Sequence, residues 1–331
     1  MMKKFIVVFI VLFQTAILPQ YSNLGASGAQ FLEIPLSAAT AGMGGVAAGL
    51  VKDASSMFYN PAGLASVKGY DIHFSYLKMF DMFDINGAGL GYSLGESGVL
   101  GVSLVSVSSG KVEITTEKEP NGTGRFYDAQ DLAMGITYSR FLTDRFSAGV
   151  SVKYIYQRIW NEVADGIAFD IGTQYRLDFN NLTIAMAMTN FGPDLRFDGP
   201  DLNVVFSRDE NYPLSRLAPA SLKTDPYALP LHFRVGLAMD LYQADFMKIR
   251  GGIDATHPND NSERLQAGTE FSFYDRLYLR AGYKYNYDDE QVALGAGFSF
   301  FLGEALLRFD YAYSVFDLLP DIQRISLNME F

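Results

Sequence analysis

From Tyr70 to Phe331 the chain is a succession of segments about ten residues long in which apolar and polar side chains alternate, as transmembrane strands do. The turns between them are alternately short and long. A strand with one face in lipid and the other in a lumen must alternate with period two, and only a closed barrel leaves no backbone group unpaired in a bilayer. Within 144–157, Phe146, Ala148, Val150, Val152, Tyr154 and Tyr156 share one face, and Ser147, Gly149, Ser151, Lys153 and Gln157 the other. Only Ile155 breaks the order. The pattern predicts an all-β fold, a transmembrane antiparallel β-barrel in the outer membrane of a Gram-negative-type bacterium, surrounded by outer-membrane lipid.

Strands are expected near 70–78, 84–94, 98–108, 126–138, 144–157, 163–176 and 181–191. After a long gap they resume near 231–242, 245–256, 262–273, 276–286, 290–301, 305–314 and 322–331. That makes about 14 strands, an even number as in bacterial single-chain barrels. If the first strand rises from the periplasm, the connections 95–97, 139–143, 177–180, 243–244, 274–275 and 302–304 are short periplasmic turns. The others are mostly longer and carry much of the acid, which is the usual asymmetry. The exception is 287–289, as tight as a periplasmic turn.

The N-terminus has Lys3 and Lys4 followed by the apolar run 5–13, too short for a membrane-spanning helix and right for a secretory signal core. The expected organisation is a signal peptide over 1–20, an N-terminal plug or hatch over 21–68 and the barrel over 69–331. Cysteine is absent, which excludes disulfides, thiolate metal sites and a lipoprotein anchor. The formal charge is −11, or −13 without the two lysines of the leader. Such a balance argues against nucleic acid, whose phosphates need a basic surface.

Residues 25–67 do not alternate. They are rich in Gly and Ala, and Asn60 followed by Pro61 favours a turn, so a compact segment inside the barrel is expected. The run GASGAQFLEIPLSAATAGMGGVAAGLVKDASSMFYNPAGLAS, Gly25 to Ser66, resembles the opening of the PorV/PorQ family, within the wider FadL-like group of outer-membrane proteins. The resemblance implies a hatch motif at Asn60, Pro61 and Ala62 entering a fourteen-stranded barrel. It covers the whole chain in architecture and only these forty or so residues in motif. For PorV-like members it implies a cargo-binding or shuttle role in type IX protein secretion, with secreted cargo bearing C-terminal sorting domains as partner. For FadL-like members it implies a channel for long-chain fatty acids or other small hydrophobic solutes. The PorV-like role is the first expectation, the channel the alternative.

Several residues are candidates for that work. Met79, Phe80, Met82 and Phe83 in the first outer connection, and Phe316, Leu318 and Leu319 in the last, belong to loops that closure of the barrel makes neighbours. They form either a surface patch for a partner or ligand entry, or a lid folded inward. The longest connection, 192–230, carries six of the twelve prolines and the apolar residues Phe197, Phe206 and Tyr212, which points to an ordered cap with a binding or gating role. Phe331, ending a strand with Ile325, Leu327 and Met329 facing lipid, looks like the signal read by the barrel assembly machinery. Charges of both signs on the inward faces are expected to pair and occlude the lumen. For the channel alternative, the glycine-rich strands near 84–94 or 98–108 could supply a kink, while Gly-x-Gly patterns such as 87–91 and 295–297 let the plug or a bend approach the wall. No catalytic constellation, metal cluster or cofactor motif is present: the three histidines are scattered, His257 in an outer loop, and the Gly-x-Gly patterns lie within strands. Asp53 and Asp71 are expected to cap or to pair. The chain does not read as an enzyme.

Overall fold

A computed structural model describes residues 25–207 and 217–331; the expected leader lies outside them. The strands, in chain order, are β1 (Tyr70–Met79), β2 (Phe83–Ser93), β3 (Val99–Ser108), β4 (Val112–Glu113), β5 (Phe126–Tyr127) and β6 (Ala129–Thr143). They continue with β7 (Phe146–Ile159), β8 (Glu162–Arg176), β9 (Thr183–Phe191), β10 (Asn203–Ser207), β11 (Leu217–Ser221) and β12 (His232–Ala244). The last are β13 (Met247–Pro258), β14 (Arg264–Phe273), β15 (Leu277–Tyr285), β16 (Glu290–Leu302), β17 (Ala305–Phe316) and β18 (Ile322–Glu330). Fourteen of them close one antiparallel barrel, each beside its neighbour in sequence, with β9 next to β12 and β18 back on β1. The pairs β4–β5 and β10–β11 are ribbons in the second outer loop and the long connection.

The alternation dictates the two faces. Ile325 and the lipid-side residues Val150, Val152, Leu279 and Phe309 are exposed on the outside, while Arg324, Ser326 and Asn328 are buried inside. Such an outer surface is stable only against hydrocarbon, and closure removes every strand edge from it. β6 runs past the turn expected at 139–143, because Ser139, Arg140 and Phe141 still pair with Gly149, Ala148 and Ser147. β12 likewise absorbs the turn expected at Gln243–Ala244. Both overruns fall where the strands leave hydrocarbon and the alternation no longer constrains the sequence. His257 lies in the outer end of β13 and not in a loop.

No kink occurs in β2 or β3, which pair in unbroken register. Their glycines instead receive the N-terminal segment: Gly87 faces Leu36, and Gly91 faces Leu64. A register shift does occur between β8 and β9, where Phe169 pairs with Phe191 and Ile171 with Met188. There Asn190 adopts a left-handed backbone (φ 65°).

Residues 25–67 pack on inward-facing side chains around most of the barrel, through 3₁₀ turns at Ala54–Phe58 and Pro61–Ser66 and the short helix α1 (Ala38–Gly42). Asp53 caps the first turn through the Ser55 N–H (3.0 Å) and pairs with Arg308 (2.7 Å), while Asp71 accepts the Ala54 N–H (2.9 Å), so both are structural. Asp254 accepts the Ala47 and Ala48 N–H groups at 2.8 and 3.0 Å, and Arg324 donates to the Pro35 carbonyl. The wall thus satisfies backbone groups that a turn-rich segment cannot pair within itself.

Asn60 shows why that segment needs its sequence. Its Oδ1 accepts the Ala62 N–H (3.1 Å), and its Nδ2 donates to the carbonyls of Ala48 (3.0 Å) and of Thr173 on β8 (3.2 Å). Ser139 and Ser147 donate to the Ala62 carbonyl. The turn fits only because Gly149 and Gly172 present bare backbone: a Cβ at Gly172 collides with Asn60 Oδ1, and one at Gly149 with Pro61. Asn60→Ala leaves the Ala62 N–H without its partner and removes one donor from the carbonyls of Thr173 and of Ala48, which keeps Gln174 (2.8 Å), at a cost of about 1–3 kcal/mol to docking of the segment. Protease nicking at 60–66 in the variant and not in the parent is the expected readout.

Candidate functional site

The inward faces change character from the periplasmic to the outer end. In the lower and middle barrel Arg280 is buried, with Nε 2.7 Å from Glu270 and Nη1 2.6 Å from Asp310. Arg250 joins Glu270 (2.5 Å) and Arg308 joins Asp310 (3.1 Å). The mixed charges therefore pair with one another and, through Asp53, with the N-terminal segment.

Toward the outside the interior divides. On the arc from β18 through β1 to β8 the inward positions are mostly apolar: Leu77, Ile85, Ile155 and Ile322 are fully buried, with Val105 and Val107 beside them, and Gln157, which donates to Asp131 (3.0 Å) and accepts from Tyr227 (2.8 Å), is a polar exception. Phe31 and Leu36 approach from the N-terminal segment, and Leu195 and Leu229 from the long connection. On the opposite arc, β12 to β16, the same level holds His232, Arg234, Arg264, Gln266 and Lys284. The outer interior is thus a chamber filled by closely packed apolar side chains, with one polar wall.

The chamber has a roof. Leu195 and Tyr227 exchange backbone hydrogen bonds of 2.9 Å, Val163 and Asp198 do the same, and Gly28 donates to the Ala228 carbonyl. These bonds fold the two ends of 192–230 across the mouth. At the bulge Asn190 donates to the Pro230 carbonyl (3.0 Å), Asp170 accepts its N–H (2.8 Å), and Lys153 pairs with Asp170 (2.8 Å). A strained residue thereby ties the barrel wall to the roof.

The loop candidates separate into two groups. Met79, Phe80, Phe83, Phe316 and Phe197 pack against the chamber, with Phe80 and Phe316 edge to face at 5.9 Å and Phe197 on Tyr227 at 5.8 Å. Met82, Leu319 and Phe206 point outward, and Leu318 is 91% exposed. The first and last loops therefore turn some of their apolar side chains inward and leave others exposed. Tyr212 lies outside the described residues. Phe331 is exposed, and its backbone pairs with Tyr70. Asn60, Pro61 and Ala62 dock on β6 to β8, away from the mouth.

Sequence reasoning missed Leu77, Ile85, Ile155, Ile322, Leu229 and Asn190; Leu195 is expected among the apolar residues of the long connection, and it does pack there. For Ile155 the signal was present: it is the position that breaks the alternation of β7, and it breaks it by pointing an apolar side chain inward.

The solved structures that share this architecture include three that are distant in sequence. The Ralstonia pickettii toluene transporter TbuX matches with a TM-score of 0.57 at 13% identity, covering 88% of this chain and 96% of that one. The Pseudomonas putida toluene transporter TodX gives 0.56 at 13%, covering 88% and 96%. A Pseudomonas aeruginosa FadL homologue gives 0.54 at 12%, covering 90% and 98%. The fold is that of the FadL-like outer-membrane barrels. Two of these neighbours are described as transporters, and none as an enzyme. No family model matches the sequence, and no curated protein matches it.

The polar wall contains a group poised near neutrality. Glu33 lies 3.7 Å from His232 Nδ1, near Asp260, Arg264 and Arg234, and its Oε1 has no hydrogen-bond partner. Burial, then the charge of Asp260, raise its carboxyl to about 7 against attraction from Arg264 and Arg234. Because the value is raised on folding, this carboxyl favours the packed segment fully below about pH 4, and the contribution is lost as pH rises through the folded value. Hydrogen-exchange protection at residues 25–36, taken relative to the intrinsic exchange rate at each pH, is expected to fall between pH 5 and 8, and Glu33→Gln to flatten the change. An unchanged slope in the variant refutes this assignment.

Proposed function

We propose that the protein is a FadL-like channel that admits small hydrophobic solutes across the outer membrane. The observation that carries the reading is the apolar chamber at Leu77, Ile85, Ile155 and Ile322 beneath the outer loops. Lower down the interior is lined by pairing charges, so the apolar face is confined to the level beneath the outer loops, where it gives an apolar solute a place to leave water. Three solved barrels of this fold are described as transporters of toluene or as a FadL homologue, which favours the same class. Met79, Phe80, Phe83, Phe197 and Phe316 form the entry. Residues 21–68 act as the plug, with Asn60, Pro61 and Ala62 as its hatch motif. The leader over 1–20 directs export, and Phe331 is read by the assembly machinery. The test is uptake of radiolabelled toluene by cells that lack channels of their own and express this chain. Entry faster than in vector controls is expected; equal entry removes the reading.

A second reading has its own support. Met82, Leu318 and Leu319, with Val205 and Phe206 on the β10–β11 ribbon, leave apolar side chains facing outward, as a partner-binding surface would. In that reading the barrel is PorV-like and serves type IX secretion as a cargo-binding or shuttle component. Deletion of 192–230 then spares barrel assembly and abolishes co-purification of secreted proteins with C-terminal sorting domains. Normal cargo delivery after the deletion rejects it.

A further inference from the structure

The long connection returns to the barrel through a short strap, residues 227–230, that crosses the mouth. Pro226 and Pro230 bound it; each fixes its own φ and lacks an N–H. Leu229 of the strap is buried among the apolar side chains of the chamber, and the Tyr227 ring lies 5.8 Å from that of Phe197. The strap therefore seals the chamber from above.

Each of its four carbonyls accepts a hydrogen bond from a different part of the molecule. Leu195 of the roof donates to Tyr227 (2.9 Å), and Gly28 of the N-terminal segment to Ala228 (3.0 Å). Asn259, just past β13, donates to Leu229 (3.0 Å), and Asn190 at the β8–β9 bulge to Pro230 (3.0 Å). The Tyr227 hydroxyl adds a bond to Gln157 on β7 (2.8 Å). A segment held mainly by its neighbours keeps its place only while they keep theirs, since water takes the carbonyls as soon as the donors withdraw.

Two of these holds depend on special backbone. Asn190 has φ 65°, a left-handed value that asparagine tolerates; its N–H is accepted by Asp170, which pairs with Lys153, and its amide is left for Pro230. Gly28 lies so close to Tyr227 that a Cβ at this position collides with the ring, and Ser27 and Ala228 form a parallel bridge beside it. The strap and the start of the N-terminal segment are thus seated on each other.

Packed side chains fill the chamber, so a solute enters only when part of the mouth moves. The strands of the wall are held in one closed ladder, whereas the roof, the N-terminal segment and the wall meet at the strap. We propose that 227–230 is the latch of the outer mouth, and that its release frees the roof and the start of the N-terminal segment together. As the regulation of the channel proposed above, the latch rests on that reading; the mechanical coupling does not.

Two variants of the full chain test it. Asn190→Gly keeps the left-handed backbone and deletes the amide, and Gly28→Ala drives a methyl group into the Tyr227 ring. Hydrogen exchange in non-ionic detergent is expected to be about tenfold faster than in the parent at 25–36, 192–199 and 227–231 alike, as loss of one buried hydrogen bond allows. Toluene uptake by cells expressing either variant is expected to rise by a similar factor. Exchange that quickens only beside the altered residue overturns the coupling. Uptake above vector controls but equal in parent and variants overturns the gating role. Where no chain exceeds the vector, the channel reading fails, and exchange alone decides the coupling. Heat-modifiable migration on gels reports barrel closure; if Asn190→Gly loses it, Gly28→Ala, which lies outside every strand, carries the test.

Discussion

Arg280→Met is expected to destabilise the barrel by about 3 kcal/mol, at the lower end of what breaking a buried ion pair costs. The guanidinium is 3% exposed and sits between Glu270 and Asp310, at 2.7 and 2.6 Å. Removing it strands neither carboxylate completely, because Arg250 still reaches Glu270 and Arg308 still reaches Asp310. That residual pairing is why the figure is not larger. Arg145–Asp178, an ion pair at the periplasmic rim with both side chains at least half exposed, supplies the contrast. Arg145→Met is expected to cost less than about 1 kcal/mol, since water and salt screen such pairs. Urea unfolding of the refolded protein in lipid vesicles, followed by tryptophan fluorescence, measures both. A loss below about 1 kcal/mol for Arg280→Met means that water solvates the network, contrary to its burial.

The barrel was legible because hydrocarbon imposes one rule on every strand. Where the rule holds, as from Val150 to Tyr154, sequence and structure agree residue by residue. It weakens at the membrane surface, which is why β6 and β12 run past their expected ends through Phe141 and Ala244. The N-terminal segment was legible in kind, since Gly and Ala at high density signal close packing. Its partners were not: the fit of Asn60 against Gly172 joins positions far apart in the chain. Glycines in β2 and β3 read equally well as a kink or as room for a neighbour, and contact with Leu36 and Leu64 decides for the second. The chamber was hidden for a different reason. Each strand contributes one or two inward apolar residues at its outer end, Leu77 on β1, Ile85 on β2, Ile155 on β7 and Ile322 on β18. In any single strand such a residue is an exception; only closure of the barrel sets them at one level.

That convergence makes Ile155→Asn the sharpest probe of transport. The side chain is fully buried against the chamber. The amide has the same number of side-chain heavy atoms but a smaller volume, and it replaces a surface that welcomes hydrocarbon with one that must be desolvated without a partner. The penalty for placing such a group in apolar surroundings is about 1–3 kcal/mol. If solute passage crosses this level, toluene uptake falls about tenfold or more, because each 1.4 kcal/mol is a factor of ten. Ile155→Val removes one methylene, worth about 0.8 kcal/mol, and is expected to slow uptake less than about fourfold. Heat-modifiable migration on gels, the mark of a closed barrel, should be the same for both variants and the parent, so that a change in uptake reports passage and not assembly. Equal uptake by parent and Ile155→Asn, with assembly intact, moves the path out of the chamber and leaves its apolar side chains as packing beneath the lid.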